Sequence, residues 1–440
     1  MPQKLGNLQR FGLRTGNGTV DFDTLRKVKI CFETFGCRLN KAEALQMEAD
    51  CLAAGMEATE SHNDADLIVV RGCSVTSKAQ RECERLIEHL HRKYPATPIK
   101  VEGCLDRKNL PKLPDLPELP DMSNTSGVPI RTARAYLKVQ DGCSGKCAFC
   151  IVPKFRGPSA SVPFGELLDK ARRFIDAGYL EIVVTGCSLS LYASDGKRLP
   201  ELVSALAALS PKCRIRLGSV EPGQCAMETV EAMTEAKNIC RFLHVPVQSG
   251  SDKILKAMRR SYAVSDVDKL VALAERRMPL IGLGCDLMTG FPGETDPDFM
   301  DTMMLLGRLP FSNVHVFPFS ARPGTIAATM GFQVDREVRL QRARRLATVA
   351  VAKREAFARR FVGKVVEIVV ERNSECSGWS GEYLYCTIPK TTAPRKSLVR
   401  MIVTGVMRDA VLAGRFTRAS SSSIRVRGSL PSTRRASAED

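Results

Sequence analysis

At 440 residues, 44% hydrophobic and 26% charged, the chain is too long for one typical domain and too apolar to stay unfolded, so two or three packed domains are expected. No run approaches the roughly 20 apolar residues of a membrane span. Residues 1–27 lack the apolar stretch of a secretory signal, which leaves a cytoplasmic protein with no membrane partner as the expectation. The net charge of +17 suits polyanionic partners, although a solvated basic face would carry the same surplus.

Residues 27–34 alternate like a short strand and run into Gly36 and Cys37, followed by a helical stretch over 41–54. A second strand at 67–71 ends at Gly72 and Cys73, an amphipathic helix covers 77–92, and a third strand at 99–102 ends at Gly103 and Cys104. Strand and helix alternating at this spacing predict a small parallel α/β domain over 27–109. All three cysteines fall just past strand C-termini, the edge where open α/β sheets bind ligands. Residues 110–131 open with a proline at every third position, LPKLPDLPELPD, which predicts an extended linker.

From 132 to about 325 the alternation resumes. Strands are predicted at 135–140, 181–185, 214–218, 242–247, 281–288 and 313–317. Helices are predicted between them, one over 164–177 and one over 267–277 with Ser265 or Asp266 as N-cap. Six such units predict a partial (β/α)6 barrel with its chemistry at the C-terminal mouth. A basic helix at 335–360 completes that domain, a β-rich segment over 361–418 has the length of a small β-barrel, and the Ser- and Arg-rich residues 419–440 predict a disordered tail.

A cytosolic chain with sixteen cysteines points to reduced thiols, and so to metal or redox roles for some of them. The decisive segment is Asp141-Gly142-Cys143-Ser144-Gly145-Lys146-Cys147-Ala148-Phe149-Cys150, a C-x3-C-x2-C loop after the first barrel strand. Thiolates suit zinc, copper(I) or iron–sulfur clusters. A structural zinc site would want four closed ligands, whereas three cysteines on one loop hold three corners of a 4Fe-4S cluster and leave one iron open. Cys31, Cys51, Cys83, Cys213, Cys225, Cys240, Cys285, Cys376 and Cys386 have no partner at ligand spacing and read as packing residues. Cys187, at a strand end, is the one that could approach the site. No histidine pair has local ligand spacing, so no further metal site is expected.

The sequence resembles the radical S-adenosyl-L-methionine (SAM) enzymes, and within them the methylthiotransferases, over residues 27 to about 415. The resemblance is carried by Thr34-Phe35-Gly36-Cys37 with Asn40, by Cys73 and Cys104, and by the 143–150 loop with Ile151-Val152-Pro153 and Arg156-Gly157. It continues through Arg216, Glu221-Pro222, His244-Val245-Pro246-Val247-Gln248, Gly290-Phe291-Pro292-Gly293-Glu294, His315 to Ser320, and Arg322-Pro323-Gly324-Thr325. It implies a radical-generating 4Fe-4S cluster on Cys143, Cys147 and Cys150, the catalytic cysteines. A second 4Fe-4S cluster on Cys37, Cys73 and Cys104 would carry the sulfur to be transferred. One SAM would methylate that sulfur, and another would yield the radical that abstracts a substrate hydrogen. Gly186, Glu221 and Gln248, at barrel strand ends, are placed to contact the cofactor, though turn and structural roles fit them equally. An electron donor such as flavodoxin or ferredoxin and a sulfur donor would be needed.

The family's third module, a TRAM β-barrel, grips RNA. Here the basic helix with Arg395, Lys396 and Arg400 would contact phosphates. Tyr383, Tyr385 and Phe416 could stack on bases, with core packing expected of at least two of them. Cys37-Arg38-Leu39-Asn40 and Gln140-Asp141-Gly142-Cys143 look most like the branch that adds methylthio to C2 of N6-threonylcarbamoyladenosine at tRNA position 37, in the anticodon stem-loop. The N6-isopentenyladenosine branch and a ribosomal-protein branch are the alternatives. Two features depart from the family: Arg71-Gly72 stands before Cys73 where Asn-Thr is usual, and the linker is unusually Pro-rich.

Overall fold

The computed structural model describes residues 28–114, 132–372, 377–388, 393–407 and 411–416, together with 116, 119 and 128. Cys376, the Phe416 side chain and the predicted disordered tail lie outside the described residues or side chains.

The first domain is a four-stranded parallel sheet, ordered β2-β1-β3-β4. Its elements are β1 (Lys29–Thr34), α1 (Arg38–Ala53), β2 (Glu57–Ala58), β3 (Leu67–Cys73), α2 (Ser77–Lys93) and β4 (Ile99–Cys104). β3 reads LIVVRGC and is buried on both faces, as a central parallel strand must be. Helix α2 is set by Thr76, whose side chain accepts from the Ala79 N–H at 3.1 Å, and by His91, Arg92 and Lys93 in its last turn. The Pro-rich stretch does more than link. Leu110 and Leu113 pack on one hydrophobic cluster of this domain, and Leu116 and Leu119 on the other. An extended chain with three residues per turn presents every third side chain to one side, and here that side is leucine.

The central domain follows with β5 (Ala135–Asp141), α3 (Val152–Arg156), β6 (Ala160–Ser161), α4 (Phe164–Asp176), β7 (Glu181–Gly186), β8 (Ala193–Ser194), β9 (Lys197–Arg198), α5 (Leu199–Leu209), β10 (Arg214–Leu217) and α6 (Gln224–Glu235). Then come β11 (Phe242–Gln248), α7 (Asp252–Ala257), α8 (Val264–Arg277), β12 (Gly282–Thr289), α9 (Asp296–Arg308), β13 (Asn313–Pro318), α10 (Ile326–Thr329) and α11 (Arg336–Arg359). The six long strands are all parallel, in two sheets ordered β10-β7-β5-β6 and β11-β12-β13. The sheets meet at single bridges, Ile215 to Ile239 and Ser219 to His244. One large core of aliphatic and aromatic residues from strands and helices unites them.

Helix α8 corrects the predicted cap. It begins at Val264, and Asp266 is its third residue, reaching back to accept from the Ala263 N–H at 3.0 Å. Ser265 therefore lies inside the helix. Basic helix α11 is anchored in the core by Leu346 and Ala350 and by Arg342, which is buried and donates to Glu294 at 2.6 Å. That ion pair gives the Gly290–Glu294 turn a structural task.

The last module is a closed five-stranded barrel, β14-β15-β16-β18-β17, from β14 (Val365–Arg372), β15 (Ser377–Ser380), β16 (Tyr385–Thr387), β17 (Leu398–Val406) and β18 (Val411–Phe416). Buried Arg214 and Arg216 of β10 fasten it to the central domain, donating to the carbonyls of Glu367 (2.6 Å) and Ser380 (2.7 Å). Tyr383 is sandwiched between Phe242 and Trp379, each ring 4.3 Å away. Its faces are therefore taken, so of the two roles open to Tyr383 the packing one is the one it fills.

Candidate active site

The first trio of cysteines is assembled by sheet register. Cys73 and Cys104 end β3 and β4 and are directly paired across the ladder. Cys37 is exposed at the N-cap position of α1. Gly36 sits at φ +99° so closely under Cys73 that a β-carbon on it would lie 3.1 Å from the Cys73 sulfur. Burial raises the Cys73 thiol to about 11, and the neighbouring sulfurs of Cys37 and Cys104 add to the rise. Burial raises the Cys104 thiol as well, so Cys73 and Cys104 keep their protons until a metal displaces them.

The second trio sits on the loop after β5. Gly142, at φ +62°, permits a turn in which any β-carbon would meet the Pro158 carbonyl oxygen at 1.9 Å. The Gly145 N–H points at the Cys143 sulfur at 3.3 Å, and Arg260 donates to the Cys147 sulfur at 3.1 Å. Burial raises the Cys150 thiol to about 11, with Cys147 and Cys143 contributing. Buried Gln140, which the sequence marked only as part of a branch motif, staples the loop. Its amide donates to the carbonyls of Asp141 and Gly142 and to the Ser159 hydroxyl, and its oxygen accepts from the Ser188 N–H at 2.9 Å.

Between the trios lies a charged junction built on Arg156, which ends α3. Its Nε donates to the Cys104 sulfur at 2.7 Å, while its terminal nitrogens reach Glu43, Asp141 and the side-chain oxygen of Asn40 at 2.8–2.9 Å. Lys138 bridges Glu43 and Asp141 at 2.6 Å each. Burial would raise the Glu43 carboxyl, but Arg156, Arg71 and Lys138 hold it at about 2. Arg71, which departs from the family pattern, donates to Glu43 and so belongs to this junction. Cys187 donates to Asp141 from 3.6 Å, and burial raises its thiol to about 12. It does approach the site. Among the other cysteines read as packing residues, all are buried except Cys225, which is half-buried, and Cys376, which lies outside the described residues.

Of the three predicted cofactor contacts, Glu221 accepts from Arg260 at 2.8 Å, so it stands beside the loop cysteines. Gln248 is buried at positive φ (+68°), and among the described residues its side-chain oxygen has no hydrogen-bond partner. A strained residue with an orphaned buried amide at a strand end suits a ligand-binding position. Gly186 packs where a β-carbon would press on Gln140 at 3.0 Å. That gives it a structural reason of its own.

Sequence comparison fits this architecture. A model of the Radical SAM superfamily matches residues 137–306, and one described as Uncharacterized protein family UPF0004 matches residues 29–122. Threonylcarbamoyladenosine tRNA methylthiotransferase MtaB of Bacillus subtilis (strain 168) is 30% identical over 384 residues, covering 78% of this chain and 84% of its own length. The tRNA-2-methylthio-N(6)-dimethylallyladenosine synthase of Novosphingobium aromaticivorans is 32% identical over 394 residues, covering 80% and 88%. The chain belongs to the radical SAM methylthiotransferase family. A second such synthase, from Chlorobium limicola, is 30% identical over 431 residues, covering 88% of this methylthiotransferase and 97% of its own length. The methylthiotransferase is an enzyme whose cofactors are SAM and 4Fe-4S clusters. The residues present fit those groups: two sets of three thiols, and an orphaned buried amide oxygen at the end of a barrel strand.

Proposed function

We propose that this methylthiotransferase adds a methylthio group to C2 of N6-threonylcarbamoyladenosine at position 37 of tRNA. Cys143, Cys147 and Cys150 would hold the radical-generating cluster, and Cys37, Cys73 and Cys104 the sulfur-carrying one. The observation that carries the reading is the junction itself: Arg156, on the element following the 143–150 loop, contacts the Cys104 sulfur and so puts the two sets of sulfurs against one interface. When bound, the clusters and SAM supply radical generation and sulfur transfer, which no side-chain acid or base can provide at an aromatic C–H. The chain's own residues do the positioning. Arg260 orients Cys147 and Glu221, Gln248 offers an unpartnered amide oxygen, and Arg156 with Glu43 and Asp141 fixes one domain against the other.

The choice of threonylcarbamoyladenosine rests on Cys37-Arg38-Leu39-Asn40 and on Gln140-Asp141-Gly142-Cys143. Relatives at similar identity carry both substrate names, so dimethylallyladenosine is the second reading. The proposal places the enzyme in the cytoplasm with an electron donor and a sulfur donor; among the described residues no helix is long and apolar enough to cross a membrane.

Mass spectrometry of tRNA nucleosides from a strain lacking the gene decides the substrate. Loss of 2-methylthio-N6-threonylcarbamoyladenosine is expected, and loss of the isopentenyl analogue instead would overturn the substrate. Anaerobically reconstituted protein should bind about eight irons per chain. Cys147→Ala should abolish deoxyadenosine formation, while Cys104→Ala should retain it and lose the methylthio product.

A further inference from the structure

We propose that His244, Asp286 and His315 form a binding site for one divalent transition-metal ion of the zinc class, separate from both cysteine trios. The residues come from three adjacent strands, β11, β12 and β13. Asp286 is paired with His315 across the ladder, and His244 with Gly284, two residues before Asp286 on the same face. The missing side chain at Gly284 makes the room: a β-carbon there would lie 2.6 Å from the His244 ring. The ring lies over Gly284, within reach of Asp286.

One donor atom from each residue lies within 4.8 Å of the other two. The Asp286 oxygen is 3.4 Å from His244 Nε2 and 3.3 Å from His315 Nδ1. Both separations exceed the hydrogen-bond range of about 2.7–3.2 Å. They match the edge of a tetrahedron whose metal–ligand bonds are about 2.0–2.1 Å, roughly 3.3–3.4 Å. His244 Nε2 is buried and, among the described residues, has no hydrogen-bond partner. The other nitrogen of the same ring is 2.9 Å from the Ser219 hydroxyl, the kind of outer contact that fixes the tautomer and orientation of a metal-bound imidazole.

Exposure rises from 7% at His244 through 24% at Asp286 to 56% at His315, which gives an ion a way in. Three protein donors leave a fourth position open, on the side where His315 lines a pocket with Arg354, Trp379 and Tyr385. Two imidazoles and one carboxylate are a donor set for zinc or another first-row divalent ion, and not for a cluster.

The test uses the cluster-loaded enzyme and zinc ion alone. After chelator treatment and desalting, zinc is added and bound zinc and iron are measured by plasma mass spectrometry, with affinity from competition against a chromophoric chelator. The wild type should retain about one zinc per chain, and His315→Asn and Asp286→Asn should bind it at least about 10-fold more weakly, with iron content unchanged. Ser219→Ala should weaken zinc binding by about 10- to 100-fold without removing a ligand. Zinc retained equally by the wild type and the two ligand variants, or no zinc in the wild type, overturns the site. His315 is exposed, so its variant tests binding even if Asp286→Asn misfolds. Because the readout is zinc, the outcome stands apart from the tRNA assignment.

Discussion

Arg156 spends its whole guanidinium on one junction, touching a candidate cluster sulfur, an amide and two carboxylates. Hydrogen bonds between charged groups of this kind are worth about 1.5–3 kcal/mol each, and more is lost when the partners stay buried. Arg156→Lys keeps a charge but cannot reproduce the fork. The variant should therefore still cleave SAM to deoxyadenosine, while methylthio product per deoxyadenosine falls at least about tenfold, the equivalent of one such hydrogen bond. Chromatography of both products from one reaction gives the ratio, and an unchanged ratio would remove Arg156 from the coupling. Nothing in the sequence around Arg156 announces this role. Its partners Asn40 and Glu43 belong to another domain, and only the packing of that domain on β5 brings them together.

The elements themselves were far more legible. The parallel strands declare themselves as short apolar runs, and in the first domain Gly-Cys pairs mark where three of them stop. A run of alternating elements needs only local pattern to read. What escaped was set by distance: the split into two sheets at β10 and β11, the stacking of half-buried Tyr383 between Phe242 and Trp379, and the convergence of His244, Asp286 and His315.

The 143–150 loop lies on the legible side, since Gly142 is a local demand. Gly142→Ala should displace the loop against the Pro158 carbonyl and lower bound iron from about eight to about four per chain. Gly165→Ala, in helix α4 with open space around the added carbon, should keep all the iron and gain up to about 1 kcal/mol. Iron analysis beside thermal melts separates the two.

At the scale of the molecule, the central domain meets the small barrel over a buried charge cluster. Glu181 is fully buried, with Arg216 at 2.7 Å, Arg134 at 3.7 Å, and Arg214 closer still. Burial would raise its carboxyl, yet the arginines hold it far below the ordinary range. Glu181→Gln leaves the neighbouring guanidiniums of Arg214 and Arg216 facing each other without the carboxylate between them, and leaves Arg134 to Glu371 alone. Removing one partner of a buried pair costs about 3–5 kcal/mol. The small barrel should then be cut from the central domain by a protease at a dose that leaves wild type intact, with iron content preserved. Equal resistance would mean that the carbonyl hydrogen bonds of Arg214 and Arg216 suffice alone.

The same scale governs how a chain of net charge +17 would hold an RNA. Helix α11 turns Arg342 inward and leaves Arg336 and Arg344 on its exposed side. If these two touch phosphate, replacing both by Gln should flatten the dependence of log affinity on log salt by about 0.7–0.9 for each phosphate no longer neutralised. The fall in affinity should be greatest at low salt and similar for tRNAs of different sequence, because groups that meet only phosphate position the RNA without specifying it. Filter binding of the cluster-loaded enzyme across a salt series measures the slope. An unchanged slope would assign α11 to closing the barrel alone, and would leave the RNA-facing surface to Arg395 and Arg400 on the small barrel, both exposed.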